Sequence, residues 1–456
     1  MDARAILREH GSHDLVERLE HLDAARASRP RDEPLRAPDR DVNVDADVVF
    51  MGGGLSLLVA AEVARLGKRV IVLERARAGS VHREWNASEA ELRPLVEADI
   101  VSDAELSSLI VARYDEGVCR FHGSPPAIVK GVLDRAVDAS GLLERVREVG
   151  AARGVRFIDG ATVTGLGAGA SAVRVRSTRG ELVARVAVDA RGASSPYGTA
   201  DLLCPTVGGV LTGLDFDPRC GDILVTTERA ERGRQHIWEG FPGRAGELTV
   251  YLFYYALREA AGSLTELYAR FFRTLERYRR GVPRLVRPTF GFIPGWSRLT
   301  PAPRGPHPRI VLVGDAAALH SPLTFCGFGA MLRSFQGVAR RIGEASEYGV
   351  APTAASDESI HAWTGMLARL MASERLDGDT LNALLGAAFA SLAELGNEAF
   401  AALLQDRMPA RDFVRFLHWT AQRHPRVYRE VLRGVGPRAI ARWSLQLGRS
   451  ALAEVA

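Results

Sequence analysis

Apolar and polar positions change period several times along the chain, and the clearest unit lies near its start. "DADVVFM" (45–51) is a nearly continuous apolar run, typical of a buried strand, and "GGG" (52–54) follows as a turn. "LSLLVAAEVARLG" (55–67) has helical character and "KRVIVLE" (68–74) is a second strand. The pattern therefore predicts two parallel strands joined by a helix.

The remaining segments differ in their periodicity, and they predict the following elements: short polar helices and a Pro- and Arg-rich linker in residues 1–43, mostly helix in 86–150, short strands with glycine turns up to about 200, longer strands in 201–304 with one helix near 263–280, a strand at 309–315, a helix at 328–345, and helices over the last hundred residues. This alternation predicts the α/β class.

Composition changes this picture little. Apolar residues make up 46% and charged residues 25% of 456 residues, which are ordinary values for a globular protein. The net charge of +4 and the scattered positions of four cysteines give no indication of nucleic acid binding, of a metal site or of disulfides. The charged N-terminus does not resemble a signal peptide, so we expect a cytoplasmic protein that is soluble or peripheral to a membrane.

The glycine turn is the first candidate site. "GGGLSL" (52–57) fits the G-x-G-x-x pattern, with Leu57 where a third glycine is usual, and Glu74 ends the next strand 22 residues after Gly52. Glycines allow the backbone to approach a pyrophosphate, the helix N-terminus favours its charge, and the carboxylate can accept hydrogen bonds from a ribose. A tight turn in another doubly wound protein is the alternative.

A later stretch favours a flavin over a nicotinamide. "RIVLVGDAA" (309–317) is a strand that ends in Gly-Asp before a helix, and "VDARGASSP" (188–196) is an earlier strand end with Asp189 and Gly192. In large flavoproteins with this layout such an aspartate holds the ribityl chain, whereas the simpler interpretation of Asp315 is a helix N-cap. We predict FAD as the cofactor, bound by Gly52, Gly53, Gly54, Glu74, Arg75, Arg83, Val163, Gly192, Gly314, Asp315, Pro322, Gly327 and Gly329.

The predicted fold is accordingly a Rossmann-like FAD-binding domain (three-layer, glutathione-reductase-like) with an inserted β-sheet substrate domain and a C-terminal helical region. The predicted domains are an N-terminal extension and linker (1–43), the FAD-binding domain (44–200 plus 305–345), the substrate-binding sheet (201–304) and the C-terminal helical region (346–456).

These motifs resemble the FAD-dependent superfamily of aromatic hydroxylases, flavin halogenases, geranylgeranyl reductases and lycopene cyclases. "REWNASEAEL" (83–92), "WEGFPG" (238–243) and "GDAAALHSPLTFCGFGAMLRSF" (314–335) are similar to segments of the CruA/CruP type of lycopene cyclase. The resemblance covers about residues 46–345. Cys326 stands where glycine is expected, and Ala316–Ala318 replace a more polar stretch.

The resemblance implies redox-neutral ring closure of a polyene end, in which a strong acid protonates a terminal double bond and a cation forms. Glu239 lies among aromatic residues and is the candidate acid, although a lone glutamate there is more often an edge residue in water. Period-two spacing places Tyr251, Phe253 and Tyr255 on one face, and Trp238 and Phe241 complete the predicted substrate-binding set.

Two further positions have open roles. His320 is a second candidate for proton transfer or, alternatively, a loop residue bonded to the backbone. Arg83 and Trp85 follow the second strand, so they either cover the flavin or form a surface loop.

The C-terminal end is basic. Residues 405–456 contain ten arginines and four acidic residues, with Phe413, Phe416, Trp419, Tyr428 and Trp443 interleaved. Such a segment either binds a membrane surface peripherally or caps the substrate domain with a solvated basic face.

Three functions are consistent with the sequence. The first is a lycopene-cyclase-like isomerase or intramolecular lyase that acts on a hydrophobic polyene or isoprenoid. The second is a monooxygenase or an isoprenoid double-bond reductase that uses NAD(P)H, and the third is an FAD-binding protein without activity. The substrate, the number of ring closures, the oligomeric state and the role of residues 1–43 stay open.

Overall fold

The computed structural model describes residues 3–10, 13–28, 31–40, 42–81, 85–198, 200–231, 233–297, 299, 306–318, 323–324, 327–349 and 362–453. The strands are β1 (Glu33–Pro34), β2 (Ala46–Met51), β3 (Val70–Glu74), β4 (Trp85–Ala87), β5 (Ile110–Arg113), β6 (Glu116–Arg120), β7 (Ala127–Val129), β8 (Arg135–Val137), β9 (Arg156–Asp159), β10 (Val163–Ala168), β11 (Val173–Ser177), β12 (Gly180–Asp189), β13 (Leu202–Leu214), β14 (Cys220–Val225), β15 (Ile237–Pro242), β16 (Glu247–Phe253), β17 (Ala256–Leu257), β18 (Gly281–Gly295) and β19 (Ile310–Leu312). The helices are α1 (Ala3–His10), α2 (His13–Ser28), α3 (Leu57–Arg65), α4 (Glu89–Glu97), α5 (Asp103–Leu109), α6 (Ala139–Ala152), α7 (Leu264–Tyr278), α8 (Gly327–Tyr348), α9 (Ala362–Met371), α10 (Gly378–Leu395), α11 (Asn397–Leu404), α12 (Ala410–Arg423), α13 (Val427–Val435) and α14 (Pro437–Ala453).

The first sheet confirms the predicted α/β class. Its strands run in the order β1-β10-β11-β12-β2-β3-β9, and β19 pairs with the end of β12. The pairs β12–β2, β2–β3, β3–β9 and β12–β19 are parallel, whereas β10–β11–β12 is an antiparallel meander. The predicted strand–helix–strand unit is thus β2–α3–β3.

The central strands β2 and β3 are covered on both faces, as expected for strands that are apolar almost throughout. Val48, Phe50 and Val72 pack in one core with residues of α3 and α8. Val49 and Met51, which point the other way, pack in a second core with residues of β10 and β11. The result is a layer of helices, a parallel sheet and a meander, as the predicted three-layer fold requires.

The second sheet runs in the order β17-β13-β16-β15-β14-β6-β7, with β18 beside β13. Helix α7 packs on one face through a core that contains Trp238, Phe271 and Tyr278. The other face contributes Cys204, Phe241 and Phe253 to a core shared with helices α9–α14. The sheet therefore lies between α7 and the C-terminal helices.

The structure departs from the prediction in residues 86–150. That segment was predicted to be mostly helical, but five short strands, β4–β8, lie in or at the edge of it. Strands β6 and β7 join the second sheet, where β6 pairs in parallel with β14. The pairing partner of β6 lies about a hundred residues away, so no local sequence pattern announces it.

The predicted helices near 263–280 and 328–345 correspond to α7 and α8, and the helical C-terminus to α9–α14. Within the residues that the structure describes, no helix combines the length and the low polarity needed to cross a bilayer.

Candidate active site

A cavity of about 970 Å³ connects the two sheets. Its lining comes from the turn after β2, the end of β3, the loop after β12, the loop after β19, the first turns of α8 and one face of the second sheet. This volume is at the upper end of the range for small-molecule and cofactor sites, about 300–1,000 Å³. One part is bordered by the loops of the first sheet, and we call the part against the second sheet the chamber.

The first two glycines of the turn, Gly52 and Gly53, meet their neighbours so closely that side chains are excluded there. A Cβ at Gly52, whose φ is +112°, would lie 2.4 Å from the carbonyl oxygen of Ala190. A Cβ at Gly53 would lie 2.7 Å from the Cβ of Ala78, but one at Gly54 would meet nothing within 4 Å. Gly54 thus borders open space at the N-terminus of α3, where a pyrophosphate can be accommodated.

Glu74 lies beside this turn in a fixed orientation. Its Oε2 accepts a hydrogen bond of 2.8 Å from the Gly53 N–H, and its Oε1 accepts one of 3.0 Å from the Ala76 N–H. The carboxylate borders the cavity, and each oxygen retains acceptor capacity. Ribose hydroxyl groups are suitable donors for those positions.

The register of β12 brings the loops after β12 and β19 to the edge of the sheet at which the glycine turn lies. Asp189 pairs with Met51 of β2 on one side and with Leu312 of β19 on the other. A Cβ at Gly192 would therefore lie only 3.8 Å from the Cβ of Asp315. The structure thus brings together all three loops that the sequence indicated, and their residues border one cavity.

Arg191 is a cavity residue that the sequence analysis did not identify. Its Nε and Nη2 donate to the carboxylate of Asp189, at 3.1 and 2.9 Å, and its Nη1 and Nη2 donate to Asp32, at 2.7 and 2.9 Å. Burial alone would lower the pKa of Arg191, but the two carboxylates outweigh it and raise that pKa. In the sequence, the only indication of this pairing was that Arg191 follows Asp189 by two residues.

A second missed pair fixes the start of α8. Glu91 is buried, forms an ion pair with Arg333 and completes a capping box with Ser88 at the start of α4. A Cβ at Gly329 would lie 2.5 Å from Oε1 of Glu91, so Gly329 serves helix packing and does not line the cavity. The pattern Ser-x-x-Glu in "NASEAEL" was the signal that could have found this cap.

Trp85, whose role was open, lies in the cavity wall. Its ring stacks on Phe328 of α8 with 4.8 Å between the ring centroids, and both residues border the cavity. Trp85 therefore contributes to an aromatic wall of the cavity.

The chamber is formed by side chains that share one face of the second sheet, together with residues from adjoining segments: Leu133, Cys204, Thr206, Glu239, Phe241, Tyr251, Phe253, Thr289 and Ile293. Glu239 pairs directly with Tyr251 across β15 and β16. Phe241 stacks on the buried Tyr114 with 6.2 Å between the ring centroids. The candidate acid is thus surrounded mainly by aromatic and aliphatic groups.

The carboxyl of Glu239 has no hydrogen-bond partner within the described part of the chain. Burial raises its pKa well above the ordinary value of 4.5. The basic residues in the cavity lining, Arg31, Arg75, Arg77 and Arg191, belong to the loop side and not to the chamber. Without a nearby cation the neutral acid is favoured, and this is the form of a carboxyl that can donate a proton.

Two residues of the predicted substrate-binding set lie outside the cavity lining. Trp238 points to the opposite face of β15, where its ring stacks on Tyr278 at a centroid distance of 4.7 Å. Because Trp238 and Glu239 are consecutive in a strand, they must face opposite sides, and the prediction that both enter one site was wrong. Tyr255 lies beyond the end of β16, and its hydroxyl donates to the carbonyl of Leu323.

The other predicted cofactor residues are placed as follows. Arg75, Val163, Gly314 and Gly327 border the cavity, Arg75 with an exposed side chain. His320, Pro322 and Arg83 lie outside the described residues, so their predicted roles stay predictions.

No protein-family model matches the sequence, and no curated protein matches it. Solved structures do share its fold. One is a geranylgeranyl bacteriochlorophyll reductase-like protein from Thermoplasma acidophilum, with a TM-score of 0.56, 16% identity and coverage of 85% of this chain and 98% of the other.

A second is the halogenase PltM, solved in complex with phloroglucinol and FAD, with a TM-score of 0.54, 14% identity and coverage of 90% and 96%. A third is a flavoprotein/dehydrogenase from Cytophaga hutchinsonii, with a TM-score of 0.54, 14% identity and coverage of 79% and 92%. At these identities the similarity establishes the fold alone, and it confirms the predicted fold class.

The raised pKa of Glu239 predicts a specific effect of pH on stability. Above pH 4.5 the unfolded chain loses this proton while the folded protein keeps it, so the wild type loses stability relative to Glu239→Gln as pH rises towards the folded-state pKa. The difference in unfolding free energy should change by up to about 1.4 kcal/mol per pH unit. Denaturant unfolding from pH 4 to pH 9 measures it.

Glu276→Gln, on the exposed face of α7, is the matched control, and it should show no such trend. A difference between wild type and Glu239→Gln that stays constant over the whole range would contradict a protonated Glu239.

Proposed function

We propose that this protein is an FAD-dependent enzyme that initiates ring closure of an uncharged polyene end group by protonating it. The observation that carries the proposal is the position of Glu239, a partly buried carboxyl that lines an aromatic chamber without a cation nearby, and this chamber is continuous with a dinucleotide-type cavity. The family resemblance of "WEGFPG" and of the segment 314–335 supports the same assignment.

FAD fits the loop side of the cavity. Gly54 leaves space at the N-terminus of α3, Glu74 presents acceptors for a ribose, and Asp315 lies at the start of the loop that leads to α8. If these residues held FAD in its reduced form, its negative charge would favour a positive intermediate electrostatically.

The chamber favours a substrate without charge. None of the basic residues in the described lining lies within it, so a diphosphate or carboxylate group would find no counter-ion there. Apolar and aromatic walls favour an extended hydrocarbon instead.

The residues then have distinct roles. The Glu239 carboxyl donates its proton to the terminal double bond, which leaves a tertiary cation on the substrate, and the next double bond attacks that cation to close the ring. Return of a proton from the ring to the Glu239 carboxylate restores the neutral product and the neutral acid, so no net oxidation occurs. Phe241, Tyr251 and Phe253 line the chamber, and an aromatic ring whose face meets a desolvated cation stabilises it by about 2 kcal/mol.

A redox reaction on the same scaffold is the second candidate. The chamber opens directly onto the cofactor side of the cavity, so a substrate there could exchange a hydride or react with oxygen at the flavin. The similarity in fold to a reductase-like protein and to halogenases supports this alternative. Such an enzyme consumes NAD(P)H, and a monooxygenase also consumes oxygen, whereas the cyclase needs its flavin reduced only once.

We predict that Glu239→Gln keeps bound FAD but loses at least about 100-fold in turnover, because an amide cannot supply the proton. The assay is pigment analysis in a lycopene-accumulating host, repeated anaerobically with the purified protein and pre-reduced flavin. Glu276→Gln should retain wild-type activity.

Undiminished turnover in Glu239→Gln would remove Glu239 as the acid. Product formation that requires one NAD(P)H per turnover would instead assign the redox reaction.

We further propose peripheral binding to an anionic membrane through helices α12–α14. Phe413, Phe416 and Trp443 face the core, so they are not the contact residues. The exposed large apolar residues on these helices are Val414, Tyr428, Leu432, Leu445 and Leu452, which is half of the ten in the described chain. Exposed arginines beside them, such as Arg429 and Arg433, match the charge of anionic headgroups.

Flotation with vesicles tests this surface. Wild-type protein should bind vesicles that contain phosphatidylserine more strongly than neutral ones, and Tyr428→Ser combined with Leu432→Ser should reduce binding several-fold, because the apolar anchors are lost. Val282→Ser combined with Val286→Ser removes two exposed apolar residues elsewhere, which are at least as exposed as Leu432, and should leave binding unchanged.

Absence of binding to anionic vesicles would leave these helices as a cap over the substrate domain. Concentration-dependent dimerisation without vesicle binding would assign the surface to a second copy of the chain.

A further inference from the structure

The N-terminal extension, whose role the sequence left open, is anchored first on the second sheet. Leu7, Leu15 and Leu19 are buried in the core beneath α7. The Asp23 carboxylate accepts hydrogen bonds from the Ser263 hydroxyl, at 2.6 Å, and from the Leu264 N–H, at 2.9 Å, so it caps the N-terminus of α7. This part of the extension is therefore a structural layer of the protein.

The extension then crosses to the first sheet. The guanidinium of Arg26 lies over the ring of Phe292 in β18, 5.1 Å from its centroid. A few residues later, Glu33 and Pro34 form β1, which pairs in parallel with β10. We call residues 3–10, 13–28 and 31–36 the strap, because they connect the two sheets that enclose the cavity.

Between these anchors the strap borders the cavity itself, through Ala25, Arg31 and Asp32. The Asp32 side chain is only 5% exposed and forms a bidentate ion pair with Arg191, which is 15% exposed. Arg191 in turn contacts Asp189, whose Oδ2 accepts a hydrogen bond of 2.7 Å from the Ser195 hydroxyl. The strap thus reaches the loop that carries Gly192.

This arrangement differs from that of a passive linker. Burial of a carboxylate is unfavourable unless it is paired, and loss of one partner leaves a buried charge uncompensated. Bidentate arginine–carboxylate pairs are also strong and specific in orientation. The neighbouring pair of Glu33 with Arg176, at 2.9 Å, is much more exposed, at 61% and 39%, and does not border the cavity.

We propose that the strap retains the cofactor, with Asp32 as a positioning residue that holds Arg191 and the strap together at the cavity wall. Release of the cofactor then requires the Asp32–Arg191 contact to open. This inference rests on FAD as the proposed cofactor, but not on the proposed ring closure.

The test compares two single substitutions in the full-length protein loaded with FAD. Asp32→Asn should accelerate FAD release at least about tenfold, because a charge-assisted bidentate contact is lost. Glu33→Gln, one residue away in the strap and also paired with an arginine of the first sheet, should stay within about twofold of the wild type. The fluorescence increase of released FAD after dilution measures both rates.

Limited proteolysis gives a second measurement that needs no activity and works on the wild type. Trypsin should cleave after Arg31 and Arg36 more slowly when FAD is bound, because a strap that retains the cofactor is in turn held by it. Asp32→Asn should remove most of this protection. This experiment remains decisive if Asp32→Asn folds poorly, because the wild type alone shows whether FAD binding protects the strap from trypsin.

The outcomes separate the two proposals. A protein that binds no FAD contradicts the proposed function itself. A protein that binds FAD, but releases it equally fast in Asp32→Asn and Glu33→Gln and is cleaved at the same rate with and without FAD, contradicts only the role of the strap.

Discussion

The position of strand β12 is the constraint on which the rest of the structure depends. It pairs in parallel with β2 on one side and with β19 on the other. The loops that follow these three strands are far apart in sequence, but they therefore lie at one edge of the sheet. The contact is so close that the carbonyl of Ala190 occupies the space of a side chain at Gly52. Parallel strands bind ligands at their carboxyl ends, and here that edge opens into the chamber of the second sheet.

In the chamber beside this edge, the important effect is desolvation of the Glu239 carboxyl. Glu239 lies in a strand whose cavity-facing neighbours are aromatic, and the basic residues of the cavity lie on the loop side. Desolvation raises the pKa of this carboxyl and favours its protonated form, which is the form that an acid catalyst needs. The same cavity thus separates a charged part suited to a dinucleotide from an uncharged part suited to a hydrocarbon.

Local patterns predicted much of this arrangement. The unit β2–α3–β3, the Gly-Asp turn at 314–315 and the alternation in β16 each depend on neighbouring residues, and their positions follow directly. The pairing of β6 with β14 and the contact of Asp32 with Arg191, 159 residues apart, depend on the tertiary fold and have no local signature. Trp238 was wrongly predicted to bind substrate because it is aromatic and adjacent to Glu239. Adjacent residues of a strand face opposite sides of the sheet, so Trp238 faces away from the chamber.

The most direct test of a protonated acid beside the cofactor cavity is the infrared difference spectrum between the wild type and Glu239→Gln at neutral pH, with FAD bound. The structure predicts that the carbonyl stretch of an un-ionised carboxylic acid disappears in the variant. A spectrum in which only carboxylate bands are lost would show that Glu239 is ionised, and it would contradict the account.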